Sequence, residues 1–584
     1  MVKKILFAAI IVLYVALSIF AAFVGVEKIQ QKYSPSDEVI PFFSQDGTSL
    51  VIEDRLIEDP LAPVVTGGEI FLPFEIVKEY IDPTIFKDMG GRVVTVISSD
   101  RVIRMDSLEM ESYVNMEPFT LDFTARYIDN ILYIPVRTFS EIFGIDVTYI
   151  EQSNTVVVDY WKNYIHHGFV SPFIRTSEMV DGISVERYKK VSEDVVIRSE
   201  PSIKAPLYRK LADDGEEVIV YSVEGEWARI RTGEGIIGYV ETRFLEAEVM
   251  YTDISVNLSR SIEGEPDRIV LAWQYINKTT PPVEDFISHE EITVYSPTWF
   301  TVIDSEGNME NKSDLPYVQK VRELGAVIWP LVNNTFNDIN MTSAILNDPD
   351  ARDNVIRQLM AYAQLYELDG YNMDFENIYL RDRDAYTQFI RELMPYARAM
   401  GLVITVDVGI PGGSDNYSLC YDHRELSRTA DYIMVMTYDQ HWASSPVAGS
   451  QAQLVWVEEM INETLELVEP NKLILGIPFY TRIWQETGDK VKNVRTPGMD
   501  RVQEIIEEKE AYVVWDEESG QFYASYYEDG AIYRMWIEDA VSVGLKAELA
   551  LKYGLRGVAI WQLPLGNDSA WESISRALDG EGVD

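Results

Sequence analysis

Cysteine and histidine are scarce in this sequence. Its 584 residues include one cysteine, Cys420, and five histidines. A lone cysteine excludes a disulfide within the chain and a thiolate metal cluster. The histidines form no His-Glu-x-x-His motif, which argues against a histidine-ligated zinc enzyme. A phosphate-binding loop and a dinucleotide fingerprint are also absent from the sequence, so we expect the protein to need neither a metal nor a cofactor.

Basic side chains are also few in comparison with acidic ones. The chain has 50 lysines and arginines against 95 aspartates and glutamates, which gives a formal net charge of −45. Such a surface repels phosphate groups, so we expect no nucleic-acid partner and no membrane docking through a basic patch. The acids are spread along the chain and therefore predict a solvated surface.

The N-terminus carries a long apolar run. Lysines at positions 3 and 4 precede apolar residues 5–26. A spanning helix needs about 20 apolar residues, whereas the core of a cleaved signal peptide has about 7–15. We therefore expect residues 1–30 to form a transmembrane signal anchor that leaves the rest of the chain outside the cell. Cleavage after Ser18 or Ala22 is the alternative, and it would give a secreted protein.

Two small domains are predicted next. Residues 38–162 alternate strands with short helices, and YIPVRTFSEIFGIDVTY resembles the N-terminal domain of some copper amine oxidases and of many bacterial surface proteins. This α+β domain carries no copper-site residues, so we expect a stalk or spacer. Residues 186–248 consist of short strands and turns. Their segments VIRSEPS, EWARIRT and GIIGYVETRFL resemble a bacterial SH3-like domain, which implies a cell-wall-binding module or a spacer.

The C-terminal part alternates apolar strands with amphipathic helices. Eight strand–helix units over residues 267–580 predict an α/β fold, a (β/α)8 TIM barrel. Hairpin-like alternation after the seventh strand predicts a small β-rich insertion at about 484–540. We expect the barrel to fold without the preceding domains, because each has its own core. The predicted strands are RIVLAWQYI (268–276), EITVYSPTWFTVI (291–303), GAVIWPLV (325–332), LDGYNMDFEN (368–377), GLVITVDVGI (401–410), DYIMVMTYD (431–439), KLILGIPFYT (472–481) and RGVAIWQL (556–563).

The fourth predicted strand concentrates acidic residues. Side chains alternate faces along a strand, so Asn372, Asp374 and Glu376 share one face and Met373 and Phe375 take the other. The apolar pair suits the helix side, which leaves the polar residues pointing into the barrel. An unpaired buried carboxylate is costly to desolvate. Polar groups that end in a glutamate at the C-terminal rim of a barrel strand therefore predict an active site.

At these residues the sequence resembles glycoside hydrolase family 18, the chitinase-like family, over about residues 267–578. Its strand motif DGxxxDxE is matched by Asp369, Gly370, Asp374 and Glu376. Further matches are MTYD (436–439), LGIPFYTRIW (475–484) and Trp561. The acidic motif and YSPTWF resemble a bacterial branch that contains spore-cortex and cell-wall N-acetylglucosaminidases.

The resemblance implies substrate-assisted retaining hydrolysis, in which the acetamido oxygen of the sugar replaces a protein nucleophile. Glu376 would be the general acid and then the general base, and Asp374 would orient the acetamido N–H. Tyr438 would hydrogen-bond the acetamido carbonyl, Asp439 would assist at the sugar hydroxyls, and Trp561 would form an apolar floor. Further substrate-binding candidates are Asp369, Asn372, Met436, Tyr480, Trp299 and Trp273.

Asn372 is the departure from the commoner family motif, in which many members have Asp. An amide in this position removes a like charge and offers an N–H donor instead. We expect the Asn372 side chain to face Asp374, to stabilise it as an anion and so to give a simple acid limb of the pH–rate profile.

The predicted protein is an exported, surface-tethered hydrolase of β-1,4-linked N-acetylglucosamine-containing glycan. Peptidoglycan is the expected substrate, because the SH3-like module and the anchor both point to the cell wall. Two alternatives remain at this point: a chitin or chitooligosaccharide hydrolase, and a sugar-binding protein on an inactive barrel. Endo or exo cleavage is not predicted.

Overall fold

The protein is described from a computed structural model, in which the described residues are 34–43, 47–58, 61–107, 111–162, 164–180, 183–191, 194–211, 214–251 and 266–582. The signal anchor predicted at 1–30 lies outside these residues. Within the described ranges, no helix combines the length and the apolar character that a membrane span requires.

The chain divides into two compact units. The first takes the described residues of Met1–Pro83 and Asp122–Leu258, and the second those of Thr84–Leu121 and Ser259–Asp584. The segment predicted as one small domain, 38–162, is therefore shared between the units. Each unit is described by itself.

The first unit is built mainly from antiparallel sheets. One four-stranded sheet runs in the order Ile145–Ile150, Thr155–Tyr160, Ser49–Ile52 and Arg55–Leu56. A second runs in the order Arg126–Ile128, Ile131–Pro135, Glu69–Pro73 and Val64–Thr66. The SH3-like strands belong to a seven-stranded sheet in the order Leu207–Lys210, Val196–Arg198, Ile237–Glu241, Trp227–Thr232, Glu216–Glu224, Tyr164–Val170 and Leu245–Tyr251. A hairpin, Phe173–Val180 with Ile183–Lys190, completes the unit.

A closed parallel barrel forms the body of the second unit. Ile269–Gln274 pairs with Gly557–Trp561, which closes the ring. The second and third strands of the barrel are each divided into two short strands, with two residues between them. In chain order the barrel strands are Ile269–Gln274, Val294–Pro297 with Phe300–Val302, Val327–Ile328 with Leu331–Asn333, Gly370–Asp374, Val403–Val408, Tyr432–Met436, Leu473–Pro478 and Gly557–Trp561. The (β/α)8 prediction is confirmed.

Helices cover the outside of the ring. Their apolar faces pack with the outward strand residues in one large core, and a separate apolar cluster that includes Trp273 and Trp329 fills the interior. Interior filling of this kind is the rule for eight-stranded barrels. The barrel helices are Leu315–Glu323, Ile339–Asn347, Pro349–Tyr366, Arg383–Ala399, His423–Thr429, Leu454–Leu465, Ala540–Lys552 and Asp568–Leu578.

The predicted β-rich insertion is present after the seventh strand. It is a five-stranded antiparallel sheet with one helix, Met499–Glu508, and its own small apolar core. The sheet order is Lys490–Arg495, Ile483–Thr487, Ala531–Ile537, Gln521–Glu528 and Tyr512–Asp516.

A five-stranded meander from residues 84–121 packs on the barrel helices. Its Arg104 forms ion pairs with Asp353 and Glu392, which lie on two of those helices. Glu392 also pairs with Arg352 at 2.8 Å, and the Arg352 and Glu392 side chains are fully buried. These pairs explain why the segment groups with the barrel and not with the rest of the predicted small domain. The strands are Phe86–Lys87, Val93–Ile97, Val102–Asp106, Glu111–Val114 and Glu117–Thr120.

Candidate active site

The side chains of the fourth strand face inward and outward as its sequence predicts. Met373 and Phe375 pack in the outer core, and the Phe375 ring stacks on Tyr386 with 5.7 Å between ring centroids. Asn372 and Asp374 are also buried, and Asp374 reaches the cavity at the barrel mouth. The strand ends at Asp374, so Glu376 lies just beyond it at the C-terminal rim.

Glu376 is held by its backbone. The Asn334 side chain accepts a hydrogen bond from the Glu376 N–H at 3.0 Å and donates one to the Glu376 carbonyl at 2.7 Å. Asn334 is fully buried and donates also to Thr342 at 2.8 Å. This double contact holds the Glu376 backbone at the rim, where its side chain lines the cavity.

The cavity at the barrel mouth has a volume of about 1040 Å³. It is large enough for a sugar substrate, since small-molecule sites usually measure about 300–1,000 Å³. Eight of the site residues predicted from the sequence line it: Trp273, Asp374, Glu376, Met436, Tyr438, Asp439, Tyr480 and Trp561. The strands of the barrel converge here, so residues far apart in the sequence meet at one mouth.

The other three predicted residues do not line the cavity. Trp299 is fully buried in the outer core. Asp369 precedes the fourth strand, and its carboxylate accepts a hydrogen bond from the Ile328 N–H at 2.9 Å, at the end of the strand away from the mouth. Asn372 has no exposed surface. These three residues support the barrel and do not face its mouth.

The expected contact from Asn372 to Asp374 is wrong. The Asn372 amide donates to Asp407 Oδ1 at 2.6 Å and to Thr405 Oγ1 at 3.0 Å, and its carbonyl accepts from the Trp273 indole at 2.7 Å. The amide therefore faces the fifth strand, and Met434 Sδ of the sixth strand is a further acceptor at 3.5 Å. The reason is the parallel register, which sets Asn372 beside Thr405. The Asp374 Oδ1 atom is buried and has no hydrogen-bond partner.

Three carboxyls of the cavity have raised pKa values. Burial, followed by repulsion from Asp439, raises the pKa of Glu376 to about 7. Burial, with repulsion from Glu376 and Asp407, raises the pKa of Asp374 well above its usual range. Burial also raises the pKa of Asp407, against the hydrogen bond from Asn372. Perturbed carboxyls gathered in one cavity are typical of acid–base catalysis.

Polar groups after the sixth and seventh strands complete the mouth. Asp439, with a left-handed backbone at φ 60°, accepts hydrogen bonds from the Tyr480 hydroxyl and from Arg482. Burial raises the pKa of Tyr438, so its hydroxyl remains a donor across the physiological range. The eighth strand ends at Trp561, whose ring meets Trp273 edge-on at 6.1 Å between centroids.

Sequence reasoning missed several residues of the mouth. Asp407 stands inside the apolar run VITVDV, and an acid within a buried strand was a usable signal. Asn334 and Arg482 carry no such signal, because their roles depend on contacts across the barrel. Other lining residues that were not predicted are Phe336, Tyr417, Trp442 and Trp456. Within the described ranges, no group of three or more His, Cys, Asp or Glu side chains is arranged to hold a metal ion.

Three family models match the chain. Residues 338–566 match Glycosyl hydrolases family 18, residues 51–158 match the Copper amine oxidase N-terminal domain, and residues 193–246 match the Bacterial SH3 domain. The three resemblances read from the sequence are thereby confirmed. The protein is a glycoside hydrolase with a family 18 domain.

Two curated relatives are named as glycosylases. The chain is 26% identical to the uncharacterized glycosylase YvbX of Bacillus subtilis strain 168, over 42% of this chain and 74% of YvbX. It is 28% identical to YdhD of the same strain, whose name describes it provisionally as a sporulation-specific glycosylase, over 41% of this chain and 57% of YdhD. A chitinase structure from Chromobacterium violaceum ATCC 12472 has 23% identity and a TM-score of 0.47, over 53% of this chain and 99% of that one.

Proposed function

We propose that this protein hydrolyses the β-1,4 bonds of an N-acetylglucosamine-containing glycan, specifically peptidoglycan, by substrate-assisted retaining catalysis. The observation that carries the proposal is the meeting of Asp374, Glu376 and Tyr438 in one cavity with Trp561. An acid of suitable pKa, a partner for an acetamido group and an aromatic floor are the parts that this chemistry needs.

Glu376 acts as the general acid. Its pKa of about 7 keeps a large fraction protonated at neutral pH, and its carboxyl faces the cavity. It donates its proton to the leaving oxygen and then, as a carboxylate, takes a proton from the water that opens the cyclic intermediate. A pKa near the working pH suits both steps.

Asp374 and Tyr438 position the acetamido group of the sugar. Asp374 accepts the acetamido N–H and balances the positive charge that develops on the ring. The Tyr438 hydroxyl donates to the acetamido oxygen while that oxygen attacks the anomeric carbon. Trp561 packs against the apolar face of the sugar. Asp439 lies at the mouth and is 44% exposed, which suits a contact to sugar hydroxyls.

The cell wall is the proposed working place. The Bacterial SH3 domain match at residues 193–246 and the apolar run at the N-terminus support it. In this proposal the protein is exported, held in the cell membrane by residues 1–30, and bound to the wall through the SH3-like domain. A secreted form follows if the N-terminal segment is cleaved.

The test uses the protein from residue 31 onward, which keeps both units and omits only the proposed anchor. It is incubated with purified peptidoglycan and, separately, with chitin oligomers, and the new reducing ends are identified by mass spectrometry after borohydride reduction. We expect reduced N-acetylglucosamine ends from peptidoglycan, and no product from the Glu376→Gln variant.

Each other outcome has a defined meaning. Reduced muramic acid ends would contradict the expected cleavage after N-acetylglucosamine. Faster cleavage of chitin oligomers than of peptidoglycan would replace the substrate by chitin. Binding of either glycan without any new reducing end would replace hydrolysis by sugar binding on an inactive barrel.

A further inference from the structure

Asp407 has no role in the mechanism above, although it lines the same cavity. It lies on the fifth strand, Val403–Val408, and its side chain is almost completely buried. The last paired residues of the fourth and fifth strands are Met373 and Val406. Asp374 and Asp407 each follow by one residue, and neighbouring strands lie about 4.8 Å apart, so the two carboxyls are side by side.

Neither of these carboxyls has a cation. In the part of the chain that the structure describes, Asp374 and Asp407 form no ion pair, and the cavity arginine, Arg482, is paired with Asp439. Two adjacent carboxylates in a buried site cannot both ionise at low cost, so such a pair keeps one proton over a wide pH range. The titratable and charged side chains around the pair are Glu376, Tyr386, Tyr421, Tyr438, Asp439, Tyr480 and Arg482.

The hydrogen bonds of the two carboxyls are unequal. Asp407 Oδ1 receives the Asn372 amide at 2.6 Å, and Asn372 is itself held by Trp273 and Thr405. Asp374 Oδ1 is buried and receives no donor. A donor stabilises the ionised form of the carboxyl that it contacts. In the empty site the proton therefore belongs on Asp374, and the negative charge belongs on Asp407.

We propose that Asp407 is a positioning residue that shares one proton with Asp374 and takes this proton when a substrate N–H reaches Asp374. This inference rests on the proposed function, because the acetamido group supplies the N–H. The substrate donor stabilises the Asp374 carboxylate, and the proton passes to Asp407. No proton enters or leaves the site, so the pair keeps a single negative charge opposite the developing cation.

The main test is the pH profile of Asp407→Asn. This variant keeps an oxygen for the Asn372 amide but cannot exchange a proton with Asp374. Asp374 must then ionise alone, without a partner that takes up its proton, and burial opposes this ionisation. We therefore expect the acid limb of kcat/KM to move up by about one pH unit or more and to follow one ionisation. We expect kcat to fall by about 10- to 100-fold, with KM changed less than threefold.

Thr405→Val is the matched control. It removes a second oxygen acceptor of the Asn372 amide from the same strand face without changing a titratable group. We expect its acid limb to stay within about 0.3 pH unit of the wild type. An unchanged acid limb in Asp407→Asn, or an equal shift in Thr405→Val, would overturn the proposal.

A measurement without substrate separates this inference from the proposed function. Infrared difference spectra of the wild type and Asp407→Asn, recorded through a pH titration, report protonated carboxyl groups directly. We expect the carboxyl band of the pair to persist in the wild type to a pH at which the variant has lost it. The same titration behaviour in both proteins refutes the shared proton even if no glycan is cleaved. Infrared evidence for the shared proton in a protein that cleaves no glycan would refute only the proposed function.

Discussion

Two groups of buried carboxyls in the barrel unit have opposite electrostatics. On the helix side, Glu392 is fully buried between Arg104 and Arg352, at 2.7 and 2.8 Å. Burial opposes its ionisation, but the two guanidinium groups and their hydrogen bonds hold its pKa at about 2. In the mouth, Asp374 and Asp407 are also buried and form no ion pair with any residue that the structure describes, and burial together with like charges raises their pKa values.

The comparison shows that the buried charge of Glu392 serves the structure, whereas the buried carboxyls of the mouth serve the chemistry. A carboxylate that is neutralised by arginines keeps one protonation state and ties helices to the meander that carries Arg104. Carboxyls without cations keep a proton above the usual carboxyl range, and a proton held in this way can be passed to a neighbouring group. Exposure alone does not tell the two groups apart, because both are buried.

Removing the proton donor of the mouth is expected to have the largest effect. Glu376→Gln keeps the shape of the side chain but cannot donate a proton to the leaving oxygen, so turnover should fall by about 10²–10⁴-fold. The measurement is the initial rate of new reducing ends at saturating substrate. Sedimentation of the variant with insoluble peptidoglycan checks that binding survives. A variant with near wild-type turnover would remove Glu376 from this role.

Replacing Glu392 should lower the free energy of unfolding and leave kcat unchanged. Glu392→Gln leaves Arg352 buried without its anion and leaves Arg104 with Asp353 alone, and breaking a buried pair costs about 3–5 kcal/mol. Urea unfolding followed by tryptophan fluorescence gives the change, with kcat of the folded variant measured in parallel. Lys552→Gln, which breaks an exposed pair with Glu458, is the control and should unfold like the wild type. Loss of kcat without loss of stability would contradict the division between the two groups.

The fall of kcat/KM at high pH tests the effect of the Asp439 charge on Glu376. Glu376 must be protonated to act as an acid, so kcat/KM should fall as the pH rises through about 7. Asp439→Asn removes the charge that helps to raise the pKa of Glu376, and the limb should move to lower pH. The shift should be less than about one unit, because Asp439 is partly exposed and its field is screened by solvent. A shift to higher pH would contradict the assignment.

The smallest expected effect is the pH dependence of stability in Asp407→Asn. The folded Asp374–Asp407 pair keeps its shared proton because burial raises the pKa values of both carboxyls, so above the ordinary carboxyl range the unfolded chain releases this proton before the folded chain does. The unfolded state then binds fewer protons, and wild-type stability declines as the pH rises. The variant lacks this loss. The free energy of unfolding of the variant, relative to that of the wild type, should therefore increase from pH 4 to pH 8. A difference that does not change with pH would argue against a raised pKa.

Much of the site could be predicted from the sequence because it depends on local periodicity. The alternation in the fourth strand indicates which of Asp374 and Phe375 faces the barrel, and the strand count predicts that the strand ends meet at one mouth. The same reasoning failed for Asn372. Its direction within the barrel was predicted, but the choice between a neighbour on its own strand and one on the fifth strand depends on the register of two strands.

The sequence by itself determined the strand periodicity, the eight-unit barrel and the acids on one strand face, since these follow from side-chain alternation and composition. Only the tertiary structure decided which buried acids have a cation. The Asn372–Asp407 contact joins residues 35 positions apart, and the Arg104–Glu392 pair joins residues 288 positions apart. Strand register and helix packing bring these groups together. A pKa depends on the charges and donors within a few ångströms, and those neighbours are set by the folded chain.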